Sequence, residues 1–379
     1  MSRYDVIVLG AGPAGSVAAL SLKGSGLRVA LVDRSAFPRD KVCGDAIGGR
    51  VRRVLYEIDP DLAQQLDGLT SAVVAGGWRL VAPSGRSVTA RFKKTGLVCA
   101  RTDFDAFLFA AAKDSAVADV VTGNKVHDIR VSSDGVEVIG DTGNLKANIL
   151  IACDGANSVV ARKVFQRTVD PDFHSGAVRA YFQGVEGIRG SDLLEIHLIK
   201  GRLPGYFWIF PLPDGRCNVG FGMLTRDLSA RNIDLRESLS AIIRESSELS
   251  HRFHSATMEG PVRGFGLPLG GKINKVSADR ILLCGDAASL IDPLNGEGIG
   301  NAVLSAKMAA DWARKAHRIQ DYSGGFLSGY DQQLHGRLNK ELRFKLRMQR
   351  LFNRPWLIET LVRAGAASPL LRDAIASRL

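Results

Sequence analysis

The sequence predicts an α/β fold with three parts: a parallel-sheet domain assembled from separated parts of the chain, a second domain on an antiparallel sheet, and a helical C-terminal segment. Three observations predict it. Tyr4 to Asp33, YDVIVLGAGPAGSVAALSLKGSGLRVALVD, is an apolar run, a glycine turn, a small-residue helix and a second apolar run. Two later apolar runs, Leu145 to Cys153 and Arg280 to Cys284, end in Asp154-Gly155 and Gly285-Asp286. Between them, Arg179 to Leu224 holds four runs rich in β-branched and aromatic residues, VRAYFQGV, DLLEIHLI, YFWIFPLP and RCNVGFGML, the pattern of an antiparallel sheet.

The first stretch has the Rossmann-like order of strand, tight turn, helix and strand. Gly10 permits the turn, Gly12 and Ala14 keep the backbone open to a pyrophosphate, and Gly15 lets helix and sheet pack closely. The helix N-terminus favours the phosphate charge, and Asp33 stands where a ribose would hydrogen-bond, with Arg34 beside it. This stretch alone does not distinguish FAD from NAD(P). Ser35 to Arg53 follows as a basic loop with three closely spaced glycines. Leu69 to Phe92 reads as short strands with turns at Gly76-Gly77 and Pro83-Ser84-Gly85. Arg101 opens a helix, short strands are expected at Val120 to Val126 and Val136 to Ile139, and helices at Leu235 to Phe253 and Asn301 to Arg318. The expected division is a nucleotide-binding domain of 1–70, 100–165 and 271–330, a substrate domain of 71–99 and 166–270, and a helical region of 331–379.

A chain of 379 residues and 40.8 kDa exceeds what one core usually fills, which supports two packed domains. No apolar run reaches about 18 residues, so no membrane span is expected. The N-terminus enters its first strand without a signal-peptide pattern, and a cytoplasmic protein is expected. Cys43, Cys99, Cys153, Cys217 and Cys284 are scattered and odd in number, which excludes a disulfide framework. The pair His251 and His254 lacks companion ligands, so no metal site is expected. A net charge of +11 and a pI of about 9.6 favour anionic partners.

Two motifs select the cofactor. LIACDGANSVVAR runs from Leu150 to Arg162, and ILLCGDAASLIDPLNGEGIGNA from Ile281 to Ala302. In the second, a strand end is followed by a loop with Pro293, Gly296, Gly298 and Gly300, which brings bare backbone against a flat ligand. Two nucleotide-binding strand ends far apart in sequence suit one long ligand, FAD. The combination of GAGPAG, CDGANSVVAR and CGDAASLIDPLNGEGIGNA resembles the flavoprotein monooxygenase superfamily with the p-hydroxybenzoate hydroxylase fold. FPRDKVCGDAIGG, LPGYFWIFPLPDGRCNVGFG and the GEGI after Asp286 are similar to the geranylgeranyl reductase family.

The resemblance implies roles. Arg101 would contact FAD, Asp286 would bond the ribityl chain, and the stretch with Gly296, Gly298 and Ile299, together with Gly285, Pro293, Cys43 and Gly44, would line the ring system. Asp154-Gly155 would serve the same cofactor; the alternative is a plain Asp-Gly turn. This chain has Asp45 where relatives commonly carry a glycine, a carboxylate expected near the flavin. The implied reaction saturates an isoprenoid double bond, in which protonation accompanies hydride transfer and positive charge develops on carbon. Tyr206, Trp208 and Phe210 alternate along one strand and share a face, either as a cation-stabilising, substrate-binding wall with Pro293 or as an ordinary core stripe. Cys43, tuned by Asp45, is either a proton-donating catalytic group or a small buried residue. NAD(P)H or a ferredoxin would supply electrons, the substrate would be a hydrophobic isoprenoid, and no nucleic-acid partner is expected. Residues 337–361 carry Arg337, Lys340, Arg343, Lys345, Arg347, Arg350 and Arg354 among apolar positions. They form either a peripheral contact with the inner, anionic face of a membrane or a helix packed on its own domain. The rival readings are an FAD monooxygenase or halogenase and a non-catalytic flavin or lipid-binding module.

Overall fold

The computed structural model describes residues 3–115, 117–368 and 372. The part of the expected 331–379 region beyond 368, residue 372 apart, lies outside the described residues. In chain order the first unit is β1 (Arg3–Leu9), α1 (Pro13–Ser21) and β2 (Val29–Asp33), as its pattern predicts. The basic loop touches down as β3 (Ala46–Ile47) and continues into α2 (Gly49–Ile58) and α3 (Pro60–Asp67). There follow β4 (Ala72–Val81), β5 (Ser87–Cys99), α4 (Arg101–Asp114), β6 (Ala118–Thr122), β7 (Val126–Ser132), β8 (Gly135–Gly140), β9 (Leu145–Ala152) and α5 (Val159–Lys163). The next stretch holds β10 (His174–Gln183), β11 (Leu193–His197), β12 (Tyr206–Pro211), β13 (Arg216–Leu224), α6 (Thr225–Ala230), α7 (Leu235–Glu245), α8 (Ser247–Arg252) and β14 (Thr257–Pro268). The chain closes with β15 (Ser277–Ala278), β16 (Ile281–Leu283), α9 (Ile299–Ile319), α10 (Gly324–Leu351) and α11 (Pro355–Ala367).

Two sheets result. The first has the order β15-β16-β9-β1-β2-β6, parallel through β16, β9, β1, β2 and β6, with the β7–β8 hairpin attached to β9. Its central strands are buried on both faces, which is why they read as continuous apolar runs. All nine residues of α1 are buried, because α4 and α9 pack around it; only small side chains fit there. The second sheet, β14-β10-β13-β12-β11-β4-β5-β3, is antiparallel except for the parallel pair β4–β11. Its edge strand β3 comes from within the segment 1–70 assigned to the other domain.

Four expectations need correction. Gly76-Gly77 is not a turn: β4 runs straight through it with a bulge between Ala75 and Gly77. A Cβ on Gly77 would meet the Ala90 carbonyl oxygen at 2.3 Å, so close approach of the β5 backbone demands glycine there, while a Cβ on Gly76 would meet only the carboxylate end of the Asp192 side chain, at 2.1 Å. The strand expected at 120–126 is the end of one strand and the start of the next, separated at Gly123 by a positive φ of 75°. The helix expected at 235–253 breaks at Ser246, whose side chain caps α8 through the Leu249 amide. The basic segment 337–361 is two helices, because Pro355 starts α11 after a break.

The apolar positions of the C-terminal helices divide between the two faces, with Phe344, Leu351 and Trp356 exposed. Leu334, Leu338, Leu342 and Leu346 recur every four residues and are all buried against the rest of the protein. Arg337, Lys340, Arg343, Arg347, Arg350 and Arg354 are exposed, but Lys345 turns inward. Among the described residues no helix is long and apolar enough to cross a membrane.

Candidate functional site

The C-terminal ends of β1, β2, β9 and β16 open onto a cavity of about 810 Å³ that is roofed by the face of the second sheet. Gly10 leaves β1 with φ of 97°, and a Cβ there would sit 2.3 Å from the Cys153 carbonyl oxygen. A Cβ on Gly15 would lie 1.6 Å from the Gly10 carbonyl oxygen, so α1 touches the turn backbone to backbone. Asp33, at the end of β2, accepts hydrogen bonds from the Ala11 amide (2.7 Å) and the Ser35 amide (2.8 Å). It therefore holds the glycine turn closed while facing the cavity. Gly12, Ala14 and Arg34 line the same end.

Arg101, buried at the start of α4, pairs with Asp105 through two bonds of 2.6 and 2.8 Å. Arg39 joins that carboxylate at 3.2 Å, and its guanidinium lies 3.2 Å from where a Cβ on Gly12 would stand. Arg39 thus stands against the glycine turn, and Arg101 is tied to it through the shared Asp105 carboxylate. Asp154 Oδ2 accepts from the Val159 amide (2.8 Å) at the start of the following short helix, with Gly155 at φ of 79°. The turn-forming role is real, yet Asp154 Oδ1 is buried and takes no donor from the protein, and burial pushes the carboxyl pKa up.

At the other end, Gly285, Asp286, Pro293, Gly296, Gly298 and Ile299 all line the cavity. Asp292 shapes their loop by accepting from the Leu294 amide (2.9 Å) and from Lys345 Nζ (2.6 Å) on α10, while Gln349 donates to the Pro293 carbonyl. Gln349 and Phe352 reach the cavity wall, so the C-terminal helix belongs to the site.

Tyr206, Trp208 and Phe210 stand side by side on β12, with ring centroids 5.9 and 6.3 Å apart. Opposite them on β13 stand Gly222, Gly220 and Asn218. A Cβ on Gly220 would meet Trp208 Cζ2 at 2.1 Å, so the indole lies flat across a strand that must be bare. The Tyr206 hydroxyl is committed to the Asn295 carbonyl at 2.5 Å. Cys43 and Gly44 line the cavity, with Gly44 against the Phe210 ring, and burial pushes the Cys43 thiol pKa up. Asp45, expected beside the ring system, instead lies behind this wall. It is fully buried at φ of 65°, and its Oδ2 accepts from Tyr181 (2.9 Å) and Asn218 (2.7 Å).

Residues 3–199 match the model of the FAD binding domain family. The chain is 33% identical to the menaquinone reductase of Mycobacterium tuberculosis over 81% of this chain and 76% of that one. It is 31% identical to digeranylgeranylglycerophospholipid reductase 1 of Methanopyrus kandleri over 87% and 86%. The chain belongs to the geranylgeranyl reductase family of FAD-dependent oxidoreductases. A geranylgeranyl bacteriochlorophyll reductase-like protein from Thermoplasma acidophilum superposes with a TM-score of 0.84 at 24% identity, covering 96% of this chain and 91% of that one. Halogenase PltM superposes at 0.78 with 17% identity, covering 98% and 85%. At such identities the likeness concerns the fold alone.

The reductase has a cavity that fits its cofactor: a cradle that side chains would fill, acids at both ends and an unpartnered Asp154 oxygen. The sequence reading missed Arg39, Asp105, Tyr181, Asn218, Lys345 and Gln349. For Asn218 a signal was present, since Asn218, Gly220 and Gly222 alternate exactly as an inward face does. Asp105 also left one, standing one helical turn after Arg101; Arg39, Tyr181, Lys345 and Gln349 left none, because each meets its partner on a segment far away in the chain.

Burial of Asp45 is expected to lower stability at neutral pH. Burial raises its carboxyl from 3.8 to about 6, against the opposing bonds from Asn218 and Tyr181. The unfolded chain releases this proton near pH 4, whereas the folded reductase keeps it to about pH 6. Stability therefore falls as pH rises through that window, and the deficit persists above it. At about 1.36 kcal/mol per pH unit the deficit is about 3 kcal/mol. Asp45→Asn keeps the accepting oxygen and suits a positive φ. It is expected to raise the melting temperature at pH 8 and to lose that gain below about pH 4; equal effects at both pH values would refute the assignment.

Proposed function

We propose that the reductase saturates carbon–carbon double bonds of an isoprenoid chain carried by a lipid or lipid-like quinone. The observation that carries this reading is the continuity of one cavity: the dinucleotide cradle at one end runs into an apolar chamber walled by Trp78, Leu80, Leu194, Ile196, Tyr206 and Trp208. The names of the relatives, a menaquinone reductase and a digeranylgeranylglycerophospholipid reductase, support the same substrate class. Gly10, Gly12, Ala14, Gly15, Asp33, Arg34, Arg101, Asp154, Gly155, Gly285, Asp286, Pro293, Gly296, Gly298 and Ile299 would hold FAD, with Cys43 and Gly44 over its ring. Bound FAD supplies the hydride.

The chain's own residues do the rest. The apolar wall excludes water and aligns the chain. The faces of Tyr206, Trp208 and Phe210 each stabilise developing positive charge by about 1–2 kcal/mol when desolvated. The Cys43 thiol, kept protonated by burial, is the group in position to deliver or direct a proton; Asp45 acts from behind it. NAD(P)H or a ferredoxin would reduce the cofactor. The exposed arginines of α10 and Trp356, 62% exposed, support contact with an anionic membrane surface, which sedimentation with anionic and neutral liposomes would test.

The deciding experiment reduces the purified yellow protein anaerobically and examines prenyl quinones and digeranylgeranyl lipids by mass spectrometry for gains of two hydrogens. Oxygenated or halogenated aromatic products instead would overturn the reading. Cys43→Ala is expected to retain FAD and to lose turnover by about 100-fold or more, the usual scale for a positioned proton donor. Unchanged turnover would remove Cys43 from the mechanism.

A further inference from the structure

Asn218, on β13, is completely buried. Its Oδ1 accepts the Trp208 Nε1 proton at 2.9 Å, and its Nδ2 donates to the Cys43 carbonyl at 2.7 Å and to Asp45 Oδ2 at 2.7 Å. Only a carboxamide offers an acceptor on one side and two donors on the other in this space. We propose that Asn218 is a positioning residue that locks the Cys43–Gly44 backbone to the Trp208 indole, so that thiol and aromatic wall address the same point of the cavity. The inference rests on the reaction proposed above for that cavity.

The surroundings explain why the lock is needed. The loop from Asp40 to Asp45 has no regular structure of its own before β3. It is pinned instead at three places by the second sheet: Asp40 by Arg179 on β10 at 2.5 Å, the Cys43 carbonyl by Asn218, and Asp45 by Asn218 and Tyr181. The Arg179 guanidinium lies 4.1 Å over the Tyr181 ring, which fixes that hydroxyl in turn. Gly44 is pressed against Phe210, 3.1 Å from where its Cβ would be, so the loop cannot settle closer without striking the wall. Asp45 has its other oxygen, Oδ1, buried without a partner, so the network is not one that packing alone would favour. A leucine-sized apolar side chain would fill the place of Asn218 but would leave the Trp208 N–H, the Cys43 carbonyl and Asp45 unpaired.

Asn218→Asp has the same shape but replaces both donors with an acceptor facing the Cys43 carbonyl and Asp45. Asn218→Ser is smaller, uncharged and able to keep one bond. In the FAD-loaded protein, alkylation of Cys43 by iodoacetamide, read by mass spectrometry of its peptide, is expected to accelerate at least tenfold in both variants. Turnover of a prenyl lipid at saturation should fall at least tenfold, with KM and FAD affinity within threefold of wild type. Wild-type alkylation and turnover in both variants would overturn the proposal. So would a loss confined to melting temperature, or a failure of both variants to fold or to hold FAD, since the role would then be structural. The alkylation measurement uses no substrate. If the wild-type protein reduces no prenyl lipid, the functional reading fails while the locking role is still judged.

Discussion

Replacing Gly15 by alanine is expected to strip the reductase of FAD. The new Cβ would stand 1.6 Å from the Gly10 carbonyl oxygen and 2.7 Å from its carbonyl carbon, and neither belongs to a side chain that could rotate away. Relief requires α1 to back off from the turn. That movement displaces both the helix N-terminus and the amides of the cradle from the position in which a pyrophosphate is held. Overpacking usually costs about 1–3 kcal/mol, and a backbone clash belongs at the upper end. About 3 kcal/mol taken from cofactor binding corresponds to more than a 100-fold weaker dissociation constant. Titration of the apoprotein with FAD, followed by quenching of flavin fluorescence, measures it directly. A variant that purifies yellow with wild-type affinity would show that α1 does not meet the turn as described.

The second large effect is expected from Lys345→Met. Lys345 lies in the middle of a stripe of basic residues, yet its ammonium is turned inward to Asp292, 2.6 Å away, and that carboxylate is almost wholly buried. Removing one partner of a buried ion pair leaves an uncompensated charge and typically costs about 3–5 kcal/mol. The loss should appear as a lower melting temperature and as weaker FAD binding, because Asp292 organises the loop that carries Pro293, Gly296 and Gly298. Adding Asp292→Asn to the same chain should recover most of the loss, since the stranded charge is then gone while the oxygen that receives the Leu294 and Asn295 amides remains. A single variant with unaltered melting and binding would mean that α10 contributes nothing to the site.

Both effects bear on what could be read before the fold was known. The cradle was legible because its parts are local: Gly10, Gly12, Gly15 and Asp33 lie within one strand–helix–strand unit, in which Gly10 has a positive φ, Gly15 touches the turn backbone and Asp33 accepts from the turn's own amide. The aromatic face of β12 was legible for a similar reason, since alternation on a strand assigns sides without any tertiary information. The glycines at 76 and 77 misled because a tight turn and a strand that another backbone approaches closely both select glycine; only the approach of β5 to Gly77 tells them apart.

The sequence by itself therefore determined the α/β class, the three glycine-bearing segments, the acids at their strand ends and the order of the aromatic residues. These follow from dihedral freedom and periodicity, which act over a few residues. Tertiary structure alone decided that Asp45 sits behind the wall rather than in the cavity, that Asn218 joins Cys43 to Trp208, and that the basic C-terminal helix turns Lys345 onto Asp292 in the loop of Pro293 and Gly296 instead of presenting every charge to water. Each of these depends on which distant segment happens to carry the complementary donor or acceptor, and a pairing between segments so far apart leaves no periodic trace in the chain.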